Sequence, residues 1–198
     1  MTKDIERKIA VIFVTDVVGF SKSMEKNEDE TLRSFRSCRV ILDNLFKEHG
    51  GRIFNTAGDS VLAEFQSAVS AVICAKEFQN LVRERNANVK EDAVMHFRIG
   101  LNMGDVIVEG ENLYGEGVNV AARLEALSQP DGVSLSKSIL DFVNKKTELD
   151  FHDLGEQKVK NTTVHAFDLA DPDLEVRKLE TSSQNEEEES KAPTIAVL

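Results

Sequence analysis

The order of elements read along this chain is strand, helix, strand, strand, helix, strand with additions, which predicts an α+β sandwich of ferredoxin-like type. Three observations carry the prediction. Residues 9–14 form an apolar run in which Ile9, Val11, Ile12, Phe13 and Val14 are β-branched or aromatic, as a buried strand reads. Residues 50–65 hold two short apolar runs, 52–54 and 61–65, around Asn55-Thr56-Ala57-Gly58-Asp59, the pattern of a β-hairpin with Asp59 at its turn. Between and after these stretches, apolar residues recur at helical spacing.

The elements follow in order. In residues 28–48, Leu32, Phe35, Val40, Ile41, Leu42, Leu45 and Phe46 alternate with mixed charges, and His49-Gly50-Gly51 stops the helix. Residues 67–85 place Ala68, Val72, Ala75, Phe78 and Leu81 on a second helix, and both helices are expected on one face of the sheet. Residues 86–92 are a polar loop. Residues 96–110 read as a strand, a turn at Gly104-Asp105, and another strand, and residues 112–127 pass from loop into helix with Gly115 and Gly117 loosening its start. A short strand at 133–135, a short helix at 137–144 and strands at 149–154 and 164–169 complete the domain.

Composition narrows the function. A chain of 198 residues, 41% of them hydrophobic, can bury one real core and carry appendages. No run approaches the roughly 18 apolar residues of a membrane span, and residues 1–8 are too charged for a signal-peptide core. A cytoplasmic protein without a membrane segment, or the cytosolic part of a longer one, is expected. Cys38 and Cys74 read as reduced, core or half-buried thiols in helical stretches, a disulfide being the minor alternative, and their spacing suits no metal site. His49, His96, His152 and His165 are scattered, with no nucleophile pattern beside them. Hydrolase triads and zinc sites are therefore unsupported.

The net charge of −11 argues against a nucleic-acid partner, which wants a basic face. Eight acids against three bases in residues 171–198 account for −5 of it, leaving −6 for the remainder. Residues 1–170 are expected to form the folded domain. Residues 171–191, with Ser182-Ser183-Gln184-Asn185 leading into four consecutive acids, read as an acidic flexible linker. Residues 192–198 turn apolar, either as a plain apolar end or as the start of a further C-terminal domain.

Asp16 stands at the end of the first apolar strand, where an ionised carboxylate wants a cap, a cation or a metal. If the hairpin lies beside that strand, Asp59 faces it, and two close carboxylates are tolerable with a cation between them. Otherwise Asp16 caps the next helix and Asp59 is an ordinary turn residue.

Taken together, these stretches resemble the class III nucleotide cyclase catalytic domain, adenylate- or guanylate-forming. Asp16-Val17-Val18-Gly19-Phe20-Ser21 is similar to the family's first metal motif, Thr56-Ala57-Gly58-Asp59 to its second, and residues 113–123, LYGEGVNVAAR, to the helix bearing its Asn and Arg. The likeness runs from about residue 8 to residue 169. It implies the ferredoxin-like cyclase fold and a two-metal phosphoryl transfer that makes a 3′,5′-cyclic nucleotide and pyrophosphate. Asp16 and Asp59 become the ligands of two divalent ions, Mg²⁺ or Mn²⁺. The backbone amides of Val17, Val18, Gly19, Phe20 and Ser21 would cradle phosphate oxygens.

Asn119 and Arg123 stand four apart on one helix face, and the resemblance makes them the residues that orient the ribose and stabilise the transferring phosphate. A structural pairing of Arg123 with Glu116 or Glu125 is the alternative. Lys160 resembles the family's triphosphate-binding lysine, although Asn161 replaces the usual following Gly and a plain surface lysine fits as well. In the family the metal residues and the Asn/Arg pair lie on opposite faces of a dimer, which implies a head-to-tail homodimer with two composite sites.

The base-reading positions depart from the best-known pattern: they are Asn55 and Asn112. An Asn amide both donates and accepts and can meet either adenine or guanine. The wider resemblance to bacterial cyclases with this Asn55-Thr-Ala-Gly-Asp sequence makes ATP the expected substrate and GTP the alternative. A nucleotide-binding regulatory module and a pure dimerisation domain are the other classes the residues allow.

Overall fold

In the computed structural model of the chain, residues 6–159 and 162–177 are described. Eight strands form one sheet: β1 (Glu6–Val17), β2 (Arg52–Ala57), β3 (Ser60–Phe65), β4 (Phe97–Glu109), β5 (Asn112–Tyr114), β6 (Val133–Ser136), β7 (Phe151–Val159) and β8 (Thr162–Leu169). Their order is β2-β3-β1-β4-β6-β8-β7, with β5 paired to β4. Five α-helices accompany them: α1 (Phe20–Lys26), α2 (Glu28–His49), α3 (Ala68–Asn86), α4 (Glu116–Leu127) and α5 (Lys137–Val143). The run β1, α2, β2, β3, α3, β4 gives the antiparallel order β2-β3-β1-β4 of the ferredoxin-like sandwich, and β6, β8 and β7 extend it past β4.

β1 is the centre because both its faces are covered, which is why its apolar run does not alternate with polar residues. On one face Val11, Phe13 and Val17 join Cys38, Leu42 and Phe46 of α2 and Val72 and Phe78 of α3 in the main core. There Phe13 meets Phe46 edge-on at 5.1 Å between ring centroids, a favourable aromatic geometry. On the other face Ala10, Ile12 and Val14 pack with Val118 and Ala121 of α4. Helices α2 and α3 thus share one face, as their patterning predicts, and α4 takes the opposite one. Asn27 caps α2 by accepting from the Glu30 amide, and Gly50 ends it with φ of 76°, a left-handed turn that glycine adopts without steric cost.

Three local expectations change. Residues 104–105 are not a turn: β4 runs through them because it pairs with β1 along its whole length, from Glu6 opposite Val108 to Val17 opposite Phe97. Asp105 there pairs with Arg7 across the strands, and α4 approaches closely, since a Cβ on Gly117 would lie 2.7 Å from the Asp105 carbonyl oxygen. The reversal comes at Gly110, with φ of 61°, and residues 112–114 form β5 where a loop was expected. The polar loop after α3 contains a short 3₁₀ turn, Glu91–Ala93.

Residues 171–177, at the start of the expected linker, lie against the domain. Arg83 of α3 holds Asp171 at 2.7 Å and Asp173 at 3.2 Å. The remainder of the linker and the stretch 192–198 lie outside the described residues. Cys38 and Cys74 are free and buried. Among the described residues no helix is long and apolar enough to cross a membrane.

Candidate active site

The pairing of β3 with β1, Thr15 opposite Val61, brings the β2–β3 turn beside the end of β1. Gly58, with φ of 63°, makes that turn possible. Asp59 accepts from the Val17 amide at 3.1 Å, and Ser60 Oγ donates to Asp16 Oδ1 at 2.9 Å. Asp16 lies directly opposite Arg98 of β4, whose Nη2 reaches Asp16 Oδ2 at 3.4 Å. Burial first, and then a hydrogen bond to Asp16 and its charge, push the Asp59 carboxyl up to about 6. The two sequence-predicted metal residues are therefore brought together at the end of β1.

This donor set fits a hard divalent cation. It consists of oxygen only, and a cation would offset the Asp16 charge that adds to burial in raising Asp59. Among the described residues no group of three His, Cys, Asp or Glu is arranged to hold a metal. One or two carboxylates, with phosphate oxygens and water in the other positions, are the usual manner of holding Mg²⁺.

α4 carries the second set. Asn119 is exposed and Arg123 half-buried on the helix. Arg123 Nη1 donates to Glu116 Oε1 at 3.1 Å, and Thr162 Oγ1 donates to the same oxygen at 2.7 Å. Of the two pairings the sequence allows for Arg123, the one with Glu116 is present. Glu125 turns instead to Arg98, Oε1 to Nε at 3.0 Å. Burial pushes the Glu125 carboxyl up to about 7, against the lowering charge of Arg98. Among the described residues no hydrogen bond or ion pair joins Asn119 or Arg123 to Asp16 or Asp59. α4 reaches the carboxylate pair through Glu125 and Arg98, the latter linking Glu125 to Asp16.

The remaining candidates divide. Of the proposed phosphate-cradling amides, Val17 donates to Asp59 and Val18 to the His96 carbonyl at 2.9 Å. Gly19 has φ of 69° and leads into α1 with Phe20 and Ser21. Asn55 is exposed on β2, beside the register shift between Ile53 and Asn55. Asn112 is half-buried at the start of β5, opposite Glu109. Lys160 lies outside the described residues. Three clefts, of about 280, 400 and 560 Å³, are lined by neither Asp16 nor Asp59.

Sequence reasoning misses Ser60, Arg98 and Glu125. One signal was available: Arg98 is a charged residue inside the apolar strand sequence FRIGL, and a buried charge wants partners.

Residues 2–171 match the family model described as the adenylate and guanylate cyclase catalytic domain. The chain belongs to this family. Cyclase domains of this class use divalent metal ions, in keeping with the oxygen-rich pair at Asp16 and Asp59. This cyclase domain is 38% identical over 199 residues to the Rhizobium meliloti (strain 1021) protein named "Putative adenylate cyclase 3", covering 99% of the present chain and 34% of that one. The chain thus spans about a third of the length of this relative. Among solved structures, the adenylate/guanylate cyclase/hydrolase from Silicibacter pomeroyi superposes with a TM-score of 0.78 at 34% identity, covering 85% of this cyclase domain and 99% of that chain. The guanylyl cyclase Cya2, at 22% identity and a TM-score of 0.73 over 85% of this chain and 96% of that one, shares the fold.

Proposed function

We propose that this cyclase domain converts ATP to 3′,5′-cyclic AMP and pyrophosphate at sites shared between two copies arranged head to tail. One observation carries the reading: Asp16 and Asp59 meet at the end of β1, while Asn119 and Arg123 on α4 of the same chain make no hydrogen bond or ion pair with them among the described residues. A reaction that needs both sets is served when the partner's α4 faces the carboxylate pair, and two-fold symmetry then builds the site twice.

Asp16 and Asp59 would hold the two divalent ions, which when bound supply the charge that acidifies the ribose 3′-hydroxyl and offsets the triphosphate. The 3′-hydroxyl gives its proton to water, and its oxygen bonds to the α-phosphorus as the bond to the β-phosphate oxygen breaks and pyrophosphate leaves. Gly19, Phe20 and Ser21 present amides to the triphosphate, with Lys160 as its cationic contact. The Val17 and Val18 amides, spent on Asp59 and His96, hold the loop instead. Asn119 orients the ribose, and Arg123 trades Glu116 for the transferring phosphate, where charge develops. Asn55 and Asn112 hold the base.

The names of the relatives favour ATP, and the two amides, able to serve either base, keep GTP as the second reading. The domain is read as a cytoplasmic unit of a longer protein, as it spans about a third of its relative's length.

Cyclic nucleotide formation from ATP and from GTP, each with Mg²⁺ and Mn²⁺ across a protein concentration series, tests this. Cyclic AMP whose specific activity rises with protein concentration and is lost in Asp59→Ala supports the reading. Preferred turnover of GTP replaces ATP by GTP, and a dimer that binds nucleotide without product leaves a regulatory module.

A further inference from the structure

We infer that Arg177 is a positioning residue for this reaction, fixing the last turn of the helix that carries Asn119 and Arg123. The inference rests on the role proposed above for those two residues. Arg177 lies beyond residue 171, where the family match ends.

One guanidinium ties three elements together. Arg177 Nε donates to Asp168 Oδ2 at 2.7 Å and Nη2 to Asp168 Oδ1 at 3.0 Å, a two-pronged grip on a carboxylate of β8. Nη2 also reaches Ser134 Oγ of β6 at 3.2 Å, and Ser134 in turn donates to Asp168 at 2.6 Å. Nη1 donates to the Leu127 carbonyl at 2.6 Å. Asp168 is 5% exposed and Ser134 fully buried, so this is an interior joint and not a surface pair.

Leu127 is the last residue of α4. Its carbonyl is one of those a helix leaves without an internal partner, at the end where a positive charge is favourable. α4 has no basic residue in its own last turn, and Arg177 supplies one from outside. At the first turn, Asn102 Nδ2 holds the Gly117 carbonyl at 2.9 Å. The helix is thus pinned near both ends, with Asn119 and Arg123 between the pins. Leu127 follows Arg123 by four residues and so lies on the same face, one turn along.

The strap that delivers Arg177 is itself held. Arg83 grips Asp171 and Asp173, and Gln129 Nε2 donates to the Glu175 carbonyl at 3.3 Å. Reacting groups tolerate little displacement, and support from surrounding residues keeps them in place. A helix released at one end loses that support.

The test compares the full chain with Arg177→Ala, Arg177→Lys and Asp168→Asn, by steady-state kinetics and by hydrogen exchange at the α4 amides. Arg177→Ala is expected to lower kcat about tenfold with nucleotide KM within about twofold. Dimerisation should be unchanged and exchange faster in residues 124–128. Arg177→Lys, a point charge that cannot keep both the carboxylate fork and the Leu127 bond, should recover part of the loss. If Arg177→Ala does not fold, Arg177→Lys and Asp168→Asn are read by the same criteria. A lowered melting temperature with wild-type kcat in the folded protein overturns the proposal, as does a loss of kcat without faster exchange in α4. If the unsubstituted chain makes no cyclic nucleotide, the proposed function fails on that result alone, and the exchange comparison decides whether Arg177 holds the helix.

Discussion

Gly100 of β4 lies so close beneath Glu125 of α4 that a Cβ built on the glycine would stand 2.1 Å from the Glu125 nitrogen and 2.2 Å from the Ala121 carbonyl oxygen. Both neighbours are backbone, so neither can yield as a flexible side chain would. This close approach lets α4 sit on the sheet near Arg98 and the carboxylate pair. Gly100→Ala should therefore cost about 3 kcal/mol, at the upper end for overpacking, and displace Arg123. Denaturant unfolding and kcat measure the two effects, and a variant with unchanged midpoint and rate would contradict the contact.

Glu64 gives a pH dependence away from the site. Burial pushes its carboxyl up, but hydrogen bonds and charges from Lys8 and Arg52 together outweigh this and hold it below its ordinary 4.5. Because the folded value is depressed, the contribution is present above the unfolded value of 4.5 and is lost as pH falls through the folded one. Both cations are partly exposed, at 40% each, so the effect is set at about 0.5–1 kcal/mol. Unfolding of Glu64→Gln should show that loss at pH 7 and a shallower decline toward low pH. Parallel pH profiles for variant and parent would refute it.

The thiols should be inert in the folded protein. Burial, helped by the charges of Glu77 and Glu48, pushes Cys74 up to about 12, and burial also raises Cys38. Since the thiolate is the reactive form, a colorimetric thiol reagent at pH 8 should label neither cysteine until denaturant is added and both thereafter. Rapid labelling of the native protein would mean that α2 and α3 open readily.

Much of the fold is legible in the sequence because its signals are local. The apolar run of β1, the hairpin around Gly58-Asp59 and the glycine stop after α2 each name their element. The Gly104-Asp105 turn misleads because its local turn signal is overridden by a long-range one, the unbroken pairing of β4 with β1. At the site, Asp16, Asp59, Asn119 and Arg123 stand out through their motifs. Ser60, Arg98 and Glu125 acquire their roles from strand register and from the seating of α4, neither of which short-range spacing encodes. Arg177 was hidden for a different reason: it lies in a stretch whose composition reads as linker.

Composite sites predict that two inactive variants repair each other. Asp59→Ala removes a metal residue and Arg123→Ala a residue of α4, so each homodimer lacks one half of both its sites. Mixed in equal amounts and allowed to exchange, half of the dimers become mixed, and each of these holds one intact site. Cyclic AMP formation should then recover to about a quarter of the parent rate. Recovery to that level is the expected result. No recovery, in a mixture shown by sedimentation to contain mixed dimers, would mean that Asp59 and Arg123 act within a single chain and that the head-to-tail site is wrong.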